Sequence, residues 1–572
     1  MSKGLVMSGS LGNCVHVAGA VHFLNLAENE GYDTMFLGPA NSIDTIIAKA
    51  AEHRPVMISV GYRLTSSNAV LLVRELIEKS KKLDYRPTWV FAGTRPVAQE
   101  VRKLGFFDVI FDSTEDIDDC ITFLRTGVFG PSNHSEIYAQ KLTDRIRQKS
   151  PYPLLRHHFG LPSFEDTVAG ISEIAASRVL DVISLGIDQN TQQYFFSPDK
   201  RNPDMDGAGG VPVRSEEEFA RLKAAAACGN YPLMRCYCGT ADLLKFAETL
   251  VRSIDNAWCA VPLCWFNELD GRGERKLYQT IVDCQQMIRW HGENNIPVEI
   301  NEPHHWGLRD AHDTVSVAMS FLSAYNAKKY GAKDYISQYM FNIPNSISFS
   351  MDLAKVLAQI ELTESLSDNN FRVYREVRAG LPFLSSDLYV AKGQLAASTS
   401  LAMNVSPHII HVVGYSEAEH AATPEVVIES CRIVRGVVRS VLHGNALAAS
   451  DPEVQRRKQE LLKEANVLLS FIRDSYSDRS PDPWGDAAVI ADCVKRGILD
   501  APHIIKNAEF TGSLTTRMHG GKCLAYDPSK GVYLSEEARL DQILGKENGC
   551  GKKQNCCDKH GQRRSKLSSV SG

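Results

Sequence analysis

The chain has 572 residues, of which 44% are hydrophobic and 23% charged, and its formal net charge is −5. This length predicts two or three domains, and the composition is that of an ordinary globular protein. The small negative charge gives no reason to expect nucleic acid or an anionic membrane as a partner. Because no run approaches the roughly 18 apolar residues of a membrane span, and because the first residues lack signal-peptide anatomy, we expect a cytoplasmic protein.

The first segment, residues 3–127, alternates short apolar runs with amphipathic stretches. These stretches predict five helices, the first of them over Cys14–Asn29. Five strand–helix units of this length are typical of a flavodoxin-like, doubly wound α/β domain, whose ligands bind at the carboxyl ends of the strands. We assign residues 1–128 to this domain and residues 129–150 to a polar linker. The predicted strands are Leu5–Met7, Thr34–Leu37, Val56–Val60, Trp89–Phe91 and Val109–Phe111.

The second segment, residues 151–450, repeats the alternation with longer helices and predicts a (β/α)8 TIM-type barrel, whose catalytic groups lie just beyond the carboxyl ends of the strands. The predicted strands are Leu154–His157, Val179–Ile187, Leu233–Cys238, Trp258–Leu263, Val298–Ile300, Tyr335–Phe341, Phe371–Val377 and His408–Val413. The residues at their ends that are able to contribute to a site are His157, His158, Asp188, Tyr237, Trp265, Asn301, Glu302, His304, His305, Arg375 and Glu417.

The remaining residues predict an α-rich extension over 451–545 and a disordered tail over 546–572. A charged helix is predicted over Pro452–Tyr476 and a second helix over Trp484–Gly497. The tail is rich in Gly, Lys and Ser, a composition that does not support a packed core. Its Cys550, Cys556, Cys557 and His560 are possible zinc ligands, but their spacing fits no standard zinc finger.

At the end of the first strand the sequence reads Gly-Asn-Cys-Val-His-Val-Ala-Gly over residues 12–19. This stretch resembles the cobalamin-binding domains of mutases and methionine synthase, whose Asp-x-His-x-x-Gly motif supplies a histidine ligand to cobalt. His16 and Gly19 match the His and Gly of that motif. The resemblance implies a bound cobalamin with His16 on its cobalt. A neutral imidazole suits that metal, and a glycine lets the corrin approach the backbone closely.

The sequence also differs from the family pattern at several positions. Cys14 replaces the Asp that hydrogen-bonds the ligand imidazole, and losing such a partner commonly costs roughly 10–100-fold in metal affinity. Gly61 and Tyr62 stand in the family's Ser-x-Leu loop, and Gly93 and Thr94 stand in its Gly-Gly loop. We therefore expect these residues to contact the cofactor in a remodelled pocket for its nucleotide tail.

The barrel segment resembles the large subunit of glutamate mutase, collinearly across roughly residues 151–520. The stretches that carry this resemblance are 298–303, 413–418 and 485–502. Glu417 matches a glutamate that contacts the adenosyl group in that family, whereas Val413 occupies the position of a lysine.

That family binds its substrate through three arginines at the ends of the first three strands. The matching positions here fall near His157 or His158, at Gln192 and at Tyr237, and none of them is arginine. Arginine is suited to this task because its fork pairs both oxygens of a carboxylate. We therefore expect a substrate other than a small dicarboxylic amino acid.

Together these features predict an adenosylcobalamin-dependent radical carbon-skeleton mutase that acts on a small-molecule substrate as a homo-oligomer. The substrate site is expected to be shaped by Gln192, Tyr237, Glu302, His304 and His305, with Glu417 against the adenosyl ribose. Two alternatives stay open, a corrinoid-dependent methyltransferase and a non-catalytic cobalamin-binding sensor or scaffold.

Overall fold

The computed structural model describes residues 2–112, 115, 117–127, 138–237, 239, 241–442, 444, 448–504 and 507–550, with the backbone alone at 117–118 and 546–550. The chain divides into two compact units, Met1–Asn133 and His134–Gly572. Each helix of the described residues is too short or too polar to cross a membrane.

The first unit is a five-stranded parallel sheet with the order β2-β1-β3-β4-β5. This is the flavodoxin order, in which ligands bind where the strand order reverses, at the carboxyl edge. The strands are β1 (Leu5–Leu11), β2 (Asp33–Asn41), β3 (Met57–Tyr62), β4 (Thr88–Gly93) and β5 (Val109–Phe111). The helices are α1 (Ala18–Asn29), α2 (Ile43–His53), α3 (Ser66–Ser80), α4 (Arg95–Arg102) and α5 (Ile117–Thr126).

Apolar residues on both faces of this sheet explain why its strands read as continuous apolar runs. Met7 and Ile58 pack on the side of α2, α3 and α4. Val6 and Met57 pack with Phe23 of α1 on the other side. The predicted flavodoxin-like domain is confirmed.

The second unit contains eight parallel strands in the order β8-β7-β6-β13-β12-β11-β10-β9, a nearly closed barrel, as predicted. These strands are β6 (Leu154–Phe159), β7 (Val182–Leu185), β8 (Leu233–Cys236), β9 (Cys259–Val261), β10 (Val298–Ile300), β11 (Asp334–Phe341), β12 (Arg372–Ala379) and β13 (Ile409–His411). Helix α6 (Leu142–Lys149) precedes them. The helices that follow are α7 (Phe164–Ser177), α8 (Gln189–Tyr194), α9 (Glu216–Ala225), α10 (Leu243–Ile254), α11 (Leu277–Glu293), α12 (Glu302–Gly307), α13 (Asp313–Lys329), α14 (Phe349–Glu364), α15 (Leu388–Ala402) and α16 (Pro424–Leu442).

The C-terminal part of this unit is mostly helical and packs on the barrel helices. Helix α17 (Pro452–Tyr476) lies against α13 and α14. After α18 (Ala487–Lys495), the chain forms a small antiparallel sheet that the sequence did not predict, and it then continues into α19 (Glu536–Cys550). The strands of this sheet are β14 (Thr516–His519), β15 (Lys522–Asp527) and β16 (Val532–Tyr533). The possible zinc ligands Cys556, Cys557 and His560 lie outside the described residues.

Candidate functional site

His16 lies in the loop between β1 and α1, at the carboxyl edge of the first sheet. Helix α1 begins at Ala18, so the predicted helix start at Cys14 is wrong. Gly12 has a φ of +57° and turns the chain as it leaves β1. The His16 side chain is exposed, and Cys14 Sγ lies 3.7 Å from its Nδ1. Among the described residues Nε2 has no hydrogen-bond partner, so this nitrogen is free to bind a metal.

Tyr62, the last residue of β3, connects the His16 loop to the following loop. Its buried hydroxyl donates to Asn13 Oδ1 at 3.2 Å and accepts from Asn68 Nδ2 at 2.6 Å. The same Asn68 amide lies 3.3 Å from Asn13 Oδ1. Because a hydrogen-bond network of this kind rigidifies what it joins, Tyr62 fixes the loop that carries His16.

The glycines at this edge differ in what surrounds them. A Cβ at Gly93 would lie 2.9 Å from the backbone oxygen of Tyr62, so close strand packing requires this glycine. A Cβ at Gly61 would meet no described atom nearer than 3.7 Å, and one at Gly19 would meet none within 4 Å. Gly19 and Gly61 therefore leave open backbone that a flat macrocycle can approach. Thr94 is the half-buried residue immediately before α4.

The residues of this edge fit a cobalamin. His16 offers a nitrogen donor of the type cobalt accepts. Val15 is 64% exposed and Leu64 is 42% exposed, in the two loops that the Tyr62–Asn13 bond joins. Exposed apolar side chains beside an exposed imidazole suit the apolar edge of a corrin ring, because grouped exposed apolar surface is typical of binding sites.

Inside the barrel, side chains follow the two-residue period of the strands and form three layers. The lowest layer is apolar, and Leu142 and Ile146 of α6 pack against it, so part of the predicted linker is helical and closes this end. The middle layer is charged, and the layer at the carboxyl end is polar. The lowest layer consists of Leu154, Val182, Leu233, Trp258, Ile336 and Ile409.

Two arginines and two glutamates of the middle layer neutralise each other. Arg156 donates Nε and Nη2 to Glu376 Oε1 at 2.9 and 2.6 Å, and Arg235 donates to Glu299 Oε2 at 2.6 Å. Gln338 Nε2 donates to both glutamates, at 2.9 Å to Glu299 and 2.7 Å to Glu376. Burial raises the pKa of Glu376. Burial also acts to raise the pKa of Glu299, but Arg235 and Arg156 together outweigh it and keep this pKa low. Each of these arginines thus already has a carboxylate.

The upper layer forms the candidate substrate site. The His158 ring stacks on Tyr237 with ring centroids 5.8 Å apart and lies 4.8 Å from the ring of His411. Asn301 Nδ2 donates to the Tyr237 hydroxyl at 2.6 Å. Asn301 Oδ1 and His411 Nδ1 are buried and have no hydrogen-bond partner among the described residues, although His411 Nδ1 lies 3.9 Å from Glu376 Oε1. Because a bare buried polar atom costs roughly 1–3 kcal/mol, this layer is built to bond a ligand or water.

Histidines near the upper layer are held neutral. Burial, reinforced by the Arg156 and Arg378 guanidinium groups, keeps the pKa of His158 and His411 well below the usual range. The same causes keep the pKa of His304 low. These imidazoles therefore offer hydrogen-bond donors and acceptors to a ligand but no positive charge.

Glu302 is fully buried and accepts three hydrogen bonds from the protein. Its Oε1 accepts from the Cys264 amide at 2.6 Å, and its Oε2 accepts from the Trp265 and Trp306 indoles, each at 3.0 Å. Burial raises its pKa to about 7, against the lowering effect of these bonds. This arrangement fits a residue that positions the loop after β9 against α12.

His304 and His305 on α12 are both buried. Their rings lie 4.3 Å apart, and the His305 ring packs 5.5 Å from Trp265 and 5.8 Å from Phe266. Within the described residues, neither ring nitrogen of His305 nor Nδ1 of His304 has a partner. Both side chains are thus able to serve the predicted substrate site.

The other predicted residues stand at strand ends with local partners. Gln192 on α8 donates Nε2 to the Ile187 carbonyl at 2.9 Å. Glu417 is exposed in the turn after β13, where its amide donates to the Gly414 carbonyl at 3.1 Å. Although the residue as a whole is exposed, nearby protein atoms partly desolvate its carboxyl and raise the pKa of that carboxyl, and the Arg378 guanidinium opposes this rise.

Three residues considered from the sequence do not face the barrel interior. Arg375 lies within β12 and donates to the two oxygens of Glu364 on α14 at 2.6 and 2.9 Å, so it is not available to a substrate. His157 has the opposite parity to His158 and lies on the helix side of β6. The Asp188 carboxylate is held by Arg214 at 2.6 Å.

Arg378 was not among the residues that the sequence predicted for the site. By the two-residue period of a strand, its side chain lies on the same side of β12 as those of Tyr374 and Glu376. Its one polar contact among the described residues is Nε to the Ala379 carbonyl at 3.4 Å. It has no carboxylate within 4 Å there. Polar residues two apart within a strand were the available signal, as in Arg156-x-His158 and Glu376-x-Arg378.

Comparison with known proteins identifies the class of the first unit: the family described as B12 binding domain matches residues 4–120. The chain therefore carries a B12-binding domain. No curated protein matches.

Among solved structures, a truncated 3-deoxy-D-arabino-heptulosonate 7-phosphate synthase from Thermotoga maritima is similar at 12% identity, covering 51% of this chain and 88% of that one, with a TM-score of 0.29. The cobalamin-dependent S-adenosylmethionine radical enzyme OxsB is similar at 10% identity with a TM-score of 0.18 in its apo, selenomethionine-labelled form, covering 76% of this chain and 56% of that one. Its form with aqua-cobalamin and S-adenosylmethionine bound has the same identity and TM-score, with coverages of 86% and 66%. TM-scores this low carry no information about reaction or ligand.

Proposed function

We propose that this protein is an adenosylcobalamin-dependent radical mutase that rearranges the carbon skeleton of a small substrate inside the barrel. The observation that carries the proposal is the pairing, in one chain, of a B12-binding domain with a barrel whose upper layer holds buried polar atoms that have no hydrogen-bond partner among the described residues. The resemblance to the glutamate mutase large subunit adds the reaction class. Fold alone does not fix function, so the upper layer has to supply the specificity.

In this proposal the first unit holds the cofactor and the barrel holds the substrate. His16 would hold cobalt through its imidazole, and Gly19 and Gly61 would give the corrin room beside the backbone. Adenosylcobalamin, when bound, supplies a carbon-centred radical that abstracts hydrogen from the substrate. The barrel residues bind the substrate, orient it and exclude water.

The upper layer is suited to orienting a substrate without taking up a proton. Tyr237 accepts from Asn301, which leaves its own hydroxyl hydrogen available for donation. The neutral imidazole of His158 is fixed by stacking on Tyr237. Glu302 positions the neighbouring loops, and His304 and His305 complete the wall.

The proposal is tested by loading the purified full chain with adenosylcobalamin or methylcobalamin in the dark, desalting it and measuring the retained cofactor by absorbance. Preferential retention of the adenosyl form supports the mutase. His16→Ala should lose cofactor, whereas His22→Ala, which removes an exposed histidine of α1, is the matched control. Preferential retention of the methyl form would identify a methyltransferase. Equal retention of both, with no substrate giving a cob(II)alamin signal, would identify a sensor or scaffold.

A further inference from the structure

The charges inside the barrel are unbalanced at one position. In the middle layer, Arg156 bonds to Glu376 and Arg235 bonds to Glu299, so two positive charges face two negative charges. Arg378 is the third arginine of inward parity and has no carboxylate within 4 Å among the described residues. Glu376 and Glu417 are near enough to act electrostatically on Arg378, but neither pairs with it within 4 Å. Because a partly buried guanidinium without a hydrogen-bonded carboxylate is unfavourable, this position favours an anionic ligand.

Arg378 stands where a substrate would reach it. It lies near the carboxyl end of β12, paired in register with Met340 of β11 and His411 of β13. The neighbouring upper layer holds Tyr237, whose hydroxyl accepts from Asn301, and Asn301, whose buried Oδ1 has no hydrogen-bond partner in the part of the chain that the structure describes. The free donor and acceptor atoms of this layer therefore lie at the same end of the barrel as the unpaired guanidinium.

We propose that Arg378 binds a single carboxylate of the substrate, while Tyr237, Asn301 and His411 bond a neutral polar group of the same molecule. This inference rests on the proposed function, because it names the substrate class of that site. Arginine is suited to this role because its planar fork pairs both carboxylate oxygens. The substrate class is a small monocarboxylic acid that carries a hydroxyl group.

The charge count favours a monocarboxylate over a dianion. One unpaired guanidinium compensates one negative charge. The histidines beside it, His158, His304 and His411, stay neutral and add no second positive charge. A dicarboxylate or a phosphate dianion would leave one charge without a partner, a penalty of the kind that makes buried unpaired charges costly.

The test measures ligand binding to the full chain without requiring turnover. Thermal unfolding and calorimetric titration are recorded with 3-hydroxybutyrate, 2-hydroxybutyrate, glutarate, inorganic phosphate and the neutral amide butyramide, with and without adenosylcobalamin. We expect either monocarboxylate to bind and to raise the unfolding temperature. Arg378→Met should weaken that binding by at least about 30-fold, the loss typical of a buried charge pair. Arg378→Lys should give an intermediate loss, because it keeps the charge without the fork.

Two controls separate ligand binding from a structural role. Arg372→Met removes an exposed arginine of the same strand, which pairs with Asp334, and should leave monocarboxylate binding unchanged. The ligand-free Arg378→Met variant should unfold at or above the wild-type temperature, because it loses an unpaired cation. A large loss of stability in this variant would contradict the proposal.

Three further results would show that Arg378 does not bind a monocarboxylate. Unchanged monocarboxylate binding in Arg378→Met, tighter binding of phosphate or glutarate than of both monocarboxylates, or no binding of any carboxylate would overturn the proposal. A different result is expected if the Arg378 proposal is right but the protein is not a mutase. In that case Arg378-dependent binding persists, but no monocarboxylate produces a cob(II)alamin radical signal in the loaded protein.

Discussion

The raised pKa of Glu302 gives the barrel a pH-dependent stability that a single substitution should remove. Burial moves the pKa of this carboxyl from 4.5 to about 7. At about 1.4 kcal/mol per pH unit, this corresponds to roughly 3 kcal/mol. A raised acid pKa means that the folded chain binds more protons than the unfolded chain in this window. Stability should therefore fall as the pH rises from about 4.5 to about 7.

Glu302→Gln should abolish this component, because glutamine does not ionise. Urea unfolding at pH 5, 6, 7 and 8 should show the wild type losing up to roughly 3 kcal/mol relative to the variant. The Trp265 and Trp306 indoles donate to Glu302, so tryptophan fluorescence of the folded chain should titrate near pH 7 in the wild type and not in the variant. Glu364→Gln, in a carboxylate bonded to Arg375, is the matched control. A stability difference that is flat from pH 5 to 8 would refute the reasoning.

Further predictions concern the charged layer and the cofactor edge. Glu376→Gln should destabilise the barrel by roughly 3–5 kcal/mol, because it removes the carboxylate to which Arg156 bonds at 2.6 Å and leaves it only Glu299, 3.7 Å away, among the described residues. The double variant with Arg156→Met should recover most of that loss in urea unfolding, and failure to recover would show that the pair is not the cause. Cys14→Asp should strengthen cobalamin binding, by up to roughly 10–100-fold in equilibrium titration, because a carboxylate orients the His16 imidazole better than a thiol; equal or weaker binding would contradict this. Tyr62→Phe should weaken cobalamin binding by a smaller factor, because it loosens the loop bonded through Asn13, and an unchanged dissociation constant would show that the bond is not needed.

The sequence predicted both α/β architectures because buried parallel strands and amphipathic helices leave strong periodic signals. Weaker signals were lost. The start of α1 was placed at Cys14 because periodicity cannot detect that Gly12 turns the chain into a loop first. The sheet of β14, β15 and β16 was missed because β14 and β16 are strands of only four and two residues that are half-exposed or exposed.

The candidate substrate site was predicted only in part. Alternate residues of a strand face the barrel interior, so the site residues depend on where each strand ends. The strand that became β12 was predicted to end at Val377, which left Arg378 outside it and made Arg375 the apparent strand-end arginine. The structure extends this strand to Ala379 and turns Arg375 toward Glu364. Which charged residues pair with each other, as Arg156 does with Glu376, depends on barrel closure, and one-dimensional spacing cannot show it.

Ligation of cobalt by His16 is the claim on which the account of the first unit depends most. Paramagnetic resonance of the reduced cofactor on the full chain tests it, in protein with natural histidine and in protein labelled with nitrogen-15 histidine. We predict nitrogen splitting that changes from a triplet to a doublet pattern on labelling and disappears in His16→Ala but not in His22→Ala. Nitrogen splitting that stays a triplet when histidine is labelled, or that is still present in His16→Ala, would contradict the account.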